Sequence, residues 1–242
     1  MNQVHPCLRK YILVYLILIT GAAQAQTRLS ETDFNRIRQK SIRNFLKGQM
    51  ESGMVYFEDF RPSVTAQTDT SQFDFNVHHF RLRQAVPLAW NTYITAHPAQ
   101  IWQGKVVSCG FVYSPVSKRV IFADDNYPGL EPGQIFYIEM RVLCGLVKFP
   151  VCFMVTKIDE SQRAITFSYV SSGPSKGSQT IRLVDDGKGE TEIIHSSNHQ
   201  TENVLRDKTL YPIYHRKAIQ EVHHNIRNTI EMRQLTLLFI QV

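Results

Sequence analysis

Apolar and polar residues alternate with a period of two between Gln134 and Leu143: Phe136, Ile138, Met140 and Val142 fall on one side, Tyr137, Glu139 and Arg141 on the other. Successive side chains of a strand point to opposite faces, so this pattern predicts an antiparallel strand with one face covered and one face wet. Lys148 to Lys157 repeats it with Phe149, Val151, Phe153 and Val155, and Ala164 to Val170 with Ile165, Phe167 and Tyr169. Phe73 to Arg83 reads as a first strand. Lys105 to Tyr113, with Val107, Cys109, Phe111 and Tyr113 sharing a face, and Arg119 to Ala123 read as a short pair. Gln179 to Val184 and Glu190 to His199 close the series across Asp185-Asp186-Gly187-Lys188-Gly189, a strong hairpin signal.

Elsewhere the period is helical. Tyr211, Ala218, Ile219, Val222, Ile226 and Ile230 recur at helical steps and place one apolar stripe on a helix expected from about Asn203 to Met232. A long amphipathic helix after such strands usually lies across the sheet. Val86-Pro87 starts a short helix carrying Leu88, Trp90, Tyr93 and Ile94; His97-Pro98 breaks it, and Ala99 to Trp102 adds another turn. Near the front, Ser30-Glu31-Thr32-Asp33 offers N-caps for a helix running to about Gln49. Phe34, Ile37, Ile42, Phe45 and Leu46 make its apolar face; Arg36, Arg38, Lys40, Arg43 and Lys47 make the remainder basic. Such a helix packs on the domain with its basic face in water, or makes peripheral contact with an anionic membrane. Gly53 to Gln72 reads as an irregular connector. The expected division is therefore residues 26–72 for the N-terminal helix and connector and 73–242 for the main domain.

Residues 1–25 are read as a removable leader. Arg9 and Lys10 precede the apolar run Tyr11 to Thr20, and Ala23-Gln24-Ala25 supplies a small-residue cleavage site. The run is too short to span a bilayer, so a secreted or periplasmic location is expected. The formal net charge of +6 includes two positive charges in that leader and is too weak and too spread out to point to nucleic acid. Cys109, Cys144 and Cys152 remain. Cys144 and Cys152 flank an expected hairpin and are candidates for a bridge; the alternative is three buried, reduced thiols. Neither C-x-x-C nor H-E-x-x-H occurs, so no metal or cofactor is expected, and the absence of G-x-S-x-G argues against a hydrolase nucleophile.

The order of elements has a counterpart among known folds. Ala85-Val86-Pro87-Leu88-Ala89-Trp90, Phe167-Ser168-Tyr169, Gly177-Ser178-Gln179-Thr180-Ile181 and Thr191-Glu192-Ile193-Ile194-His195, placed before a long final helix, resemble the START-like helix-grip (SRPBCC) superfamily. A fainter similarity, around Phe167 to Gln179, is to an uncharacterised bacterial domain family of that type. The resemblance covers about Phe73 to Met232. It implies an α+β fold: a curved antiparallel sheet wrapped around a long C-terminal helix, two short helices after the first strand, and an apolar cavity between. It does not imply a reaction, because the superfamily hosts binders, transporters and enzymes alike.

With that fold, the expected ligand is a hydrophobic or amphipathic small molecule. Phe111, Phe136, Phe153, Phe167 and Tyr169 would wall the cavity, and Tyr211, His215 and Ile219 would face it from the helix. His195, alternating with His199 on one strand face, would add a polar group, and Arg206 an anion contact. Were the protein an enzyme of the cyclase or hydrolase kind, His215 would be its acid–base group. A third alternative is an interaction role, through the basic helix or the apolar tail Leu235-Thr236-Leu237-Leu238-Phe239-Ile240.

Overall fold

The computed structural model describes residues 26–173, 175–200 and 211–240; the expected leader, Arg206, Asp207 and the side chain of Tyr211 lie outside the described residues. The strands are β1 (Asp74–Leu82), β2 (Val107–Ser114), β3 (Arg119–Ile121), β4 (Ile135–Val142), β5 (Val147–Asp159), β6 (Ala164–Tyr169), β7 (Lys176–Asp185) and β8 (Thr191–Gln200). The helices are α1 (Lys40–Glu51), α2 (Val86–Thr95), α3 (Pro98–Ile101) and α4 (Tyr211–Ile240). One curved antiparallel sheet results, in the order β1-β8-β7-β6-β5-β4-β2-β3. The first strand returns to pair with the last, Asp74 opposite His199 and Leu82 opposite Thr191. Both members of the short pair, β2 and β3, are strands.

The helix α4 lies against the inner face of this sheet. Its stripe Ala218, Val222, Ile226 and Ile230 is buried with Phe136, Phe153, Ile165, Phe167, Ile181 and Ile193, while Trp90, Tyr93 and Ile101 of α2 and α3 close the same core from the side. Each such aliphatic side chain contributes roughly 1.5–3 kcal/mol relative to exposure. The expected tail after Met232 continues the helix to Ile240. Two side chains tie α4 to the loop before β2. The Glu221 carboxylate accepts the N–H groups of Lys105, Val106 and Val107 at 2.8–3.1 Å, and Asn225 Nδ2 donates to the carbonyls of Ile101 and Gln103 at 2.8 and 2.6 Å. Gly104 makes room for the carboxylate: a Cβ there would stand 2.3 Å from Glu221 Oε2.

The outer face departs from expectation. Tyr137 and Glu139, assigned to a wet face, are 0 % and 3 % exposed. The N-terminal segment covers them, and Leu29, Ile37, Ile42, Leu46, Phe57 and Phe60 pack against Phe111, Tyr113, Ile135, Tyr137, Cys152 and Val170 in a second core. The expected continuous helix from Asp33 to Gln49 is also corrected. Leu29–Glu31 and Phe34–Arg36 are single 3-10 turns, and α1 begins only at Lys40. The cause is spacing: Ile37 and Ile42, five residues apart, would point about 140° apart on one helix, yet both are fully buried. The break at residues 37–39 lets both reach the sheet.

A bulge in β2 moves Phe111 to this outer core. Cys109 pairs with Ile138 and Phe111 with Tyr137, so Gly110 is an extra residue that reverses the alternation. Val107 and Cys109 face inward before it. Beyond it Val112 faces inward, and Phe111 and Tyr113 face outward. A side chain at Gly110 would meet Ile42 Cδ1 at 2.5 Å, so glycine also permits the close approach of α1. Cys109, Cys144 and Cys152 are free: Cys144 is exposed in the β4–β5 turn while Cys152 is buried in the outer core. Among the described residues no helix is long and apolar enough to cross a membrane.

Candidate functional site

Between α4 and strands β4 to β7 lies a cavity of about 210 Å³. Its walls are apolar, with Ile138, Val151 and Phe153 on the sheet side and Ala218 and Ile219 on the helix side; Gln179, His215 and Tyr169 form a polar pole. The strand registers explain that composition. Phe153 and Tyr169 sit opposite each other on the inner parity of β5 and β6, and Gln179 occupies the inner parity of β7 two residues before Ile181. At the other end of the cavity stands Tyr214, whose hydroxyl accepts the Leu143 N–H at 2.7 Å and so joins α4 to the β4–β5 turn.

Behind the polar pole runs a buried chain of hydrogen bonds whose direction one group settles. The Tyr93 hydroxyl lies 2.6 Å from His223 Nδ1. Leaving that buried O–H without an acceptor costs about 1–3 kcal/mol, so Tyr93 donates and Nδ1 accepts. His223 then carries its proton on Nε2 and donates to His195 Nδ1 at 3.0 Å. His195 in turn donates from Nε2 to Gln179 Oε1 at 2.9 Å, and Gln179 Nε2 donates to the Tyr169 hydroxyl at 3.0 Å. His215 Nε2 approaches the same Gln179 oxygen at 3.3 Å. Three neutral imidazoles satisfy this network. Burial, reinforced by the neighbouring imidazoles, pushes His195 well below the ordinary histidine value. Burial first and neighbouring histidines second bring His215 and His223 down to about 3. His78, opposite His195 on β1, is lowered by burial and by Arg216. On α4, His215 and His223 are eight residues or ~12 Å apart along the axis, and they bracket His195.

His215, Ile219, Phe153 and Tyr169 line the cavity. Phe136 and Phe167 are on the inner face but lie behind Phe153, stacked with it or edge-on at 5.1 and 5.3 Å. His195 is one step back, reaching the cavity through Gln179. His199 shares the inner face of β8 and is buried. Phe111, expected in the wall, belongs to the other side of the sheet because of the bulge. Arg206 and the Tyr211 side chain lie outside the described residues. The pattern reading gave Gln179 and Tyr93 no polar role, and it placed His223, four residues beyond Ile219, only on the border of the apolar stripe. Gln179 is a polar residue at an apolar parity position, which was a usable signal; His223 and Tyr93 become polar partners only when α2 meets α4. Among the described residues no three His, Cys, Asp or Glu side chains are placed to hold a metal ion.

No family model matches the sequence, and a search of curated proteins finds no match. Solved structures do match. A norcoclaurine synthase point mutant of Thalictrum flavum, in complex with a transition-state analogue, aligns with TM-score 0.50 and 14 % identity, covering 69 % of this chain and 99 % of its own. A major latex-like protein of Panax ginseng aligns with TM-score 0.47 and 9 % identity over 65 % of this chain and 97 % of its own. A Nitrosomonas europaea protein aligns with TM-score 0.46 and 15 % identity over 69 % and 99 %. At 14 % identity the likeness to the norcoclaurine synthase is one of architecture, and with the strand order and the long closing helix it shows that this chain has the helix-grip fold.

Proposed function

We propose that the protein is an exported carrier that holds a hydrophobic or amphipathic small molecule between its sheet and α4. The observation that carries this reading is the cavity of about 210 Å³, apolar along its length and polar at one pole where Gln179 and His215 stand. Ligand sites are mostly apolar concavities with a few placed polar groups that fix orientation. Typical pockets run to roughly 300–1,000 Å³, so this one suits a compact ring or a single acyl-like chain. The leader at residues 1–25 supports export.

An acid–base role for His215 fits less well. A general base works best with a pKa near the operating pH, and His215 is held at about 3. Its neutral Nε2–H, shared with Gln179, is suited to orienting a ligand oxygen.

The test fills the cavity. Ala218→Phe places a ring between α4 and the sheet, and uptake of an apolar fluorescent probe should fall at least about tenfold while circular dichroism is unchanged. Wild-type protein that takes up no apolar probe, and shows no co-purified small molecule by native mass spectrometry, would sink the proposal.

A further inference from the structure

Beyond Tyr214 the molecule opens into a groove of about 910 Å³ at the end of the sheet, between the β4–β5 turn, the loop before β2 and the first turns of α4. Its charge is one-sided. Lys105, Arg141, Lys148 and Lys217 line it, and among the described residues Glu221 is its sole carboxylate. That carboxylate is already engaged by three backbone N–H groups. Arg141 is paired with Glu139 at 3.2 Å. Among the described residues no carboxylate lies within salt-bridge reach of Lys105, Lys148 or Lys217. Lys217 instead stands over the Tyr214 ring, 5.3 Å from its centroid.

Tyr214 is common to this groove and to the interior cavity, and Val142 and Val147 inside give way to Cys144 and Gly145 outside. An apolar chamber therefore adjoins a cationic one across a single phenol ring. We infer that the groove seats the anionic head, a carboxylate or phosphate, of an amphipathic ligand whose apolar chain occupies the cavity. This rests on the carrier reading and names the class of cargo. The interior sets the chain length: at about 30 Å³ per water-sized unit, 210 Å³ holds roughly seven such units. Lys105, Lys148 and Lys217 supply the unpaired positive charge for the head, and the Tyr214 hydroxyl marks the boundary between chain and head.

Three octyl probes test it by calorimetry: 1-octanol, octanoate and octyl phosphate. Wild-type protein should bind one or both anions about tenfold more tightly than the alcohol, with the advantage shrinking as salt is raised. Whichever anion is preferred identifies the head as an acid or a phosphate. The triple variant Lys105→Gln/Lys148→Gln/Lys217→Gln should bring the anions to the alcohol's affinity and leave the alcohol unchanged. All three lysines are exposed, so this variant should fold. Equal binding of alcohol and anions by the wild type would overturn the head-group inference and leave the carrier reading intact. Binding of none of the three would overturn both.

Discussion

The two faces of the sheet are built from similar side chains and finish differently. On the outer face Phe111 stacks on Tyr137 at 4.2 Å and Phe57 on Tyr113 at 4.5 Å. The Tyr113 hydroxyl is capped by Glu58, which also takes Lys118 Nζ at 3.0 Å. On the inner face Phe136 and Phe167 meet Phe153 at 5.1 and 5.3 Å, and a cavity remains beside them. The difference lies in the cover. The N-terminal segment is a succession of short turns and one short helix, and it bends to follow the sheet. The 30-residue rod α4 cannot follow a curved surface along its whole length, so contact at its middle leaves space toward one end. An irregular cover makes a filled core, and a regular one makes a container.

Acid should separate the two faces most strongly. His195, His215 and His223 have folded pKa values below their unfolded value of about 6.5. The unfolded chain therefore gains their protons first. Their contribution is whole above pH 6.5 and is lost as pH falls toward 3, at up to about 1.4 kcal/mol per pH unit for each imidazole. For Glu58, burial opposes ionisation, but hydrogen bonds from Tyr113, Lys118 and the Thr27 N–H outweigh it and lower its pKa from 4.5. The outer face thus keeps this contribution until pH falls below about 4.5. Amide hydrogen exchange between pH 7 and pH 4.5 should show α4 losing protection while α1 retains it. Joint loss of both would refute the contrast.

Truncation comes next in size. Phe57→Ala in the filled core should cost about 3–5 kcal/mol in denaturant unfolding and leave probe binding unchanged. Ile219→Ala, whose side chain already borders a space, should cost no more than about 2 kcal/mol, the low end of the range for buried aliphatics, and should enlarge the cavity. Equal costs would mean that the interior is as tightly filled as the exterior. Tyr93→Phe should fall in the same range as Ile219→Ala. It leaves His223 Nδ1 without its donor at about 1–3 kcal/mol. It also frees the imidazole tautomers, which nitrogen-15 chemical shifts of His195 and His223 would report.

Much of this architecture could be read from periodicity. The stripe from Ala218 to Ile230 and the alternation in β4 to β6 each bury an apolar set, and burial is what periodicity encodes. The N-terminal cover was less legible because its contacts come from isolated turns with no period of their own. At the site, His195 and His215 stood out as polar groups at apolar positions. Gln179, which joins them, carried the same mark on β7 and was passed over. The link to Tyr93 depends on how α2 lies against α4, and neither segment encodes that alone. Phe111 was misplaced because one glycine changes the count along β2.

That glycine has a consequence for how the strand can vary. Upstream of Gly110 the odd-numbered residues of β2 serve the helix side, and downstream the even-numbered Val112 does. The two cores are thus kept in phase by one unpaired unit. Deleting it would turn Val107 and Cys109 or Phe111 and Tyr113 onto the wrong side in a single stroke. Length changes here are tolerable only in steps of two, so β2 behaves as a frame-shifted ruler whose error is indispensable.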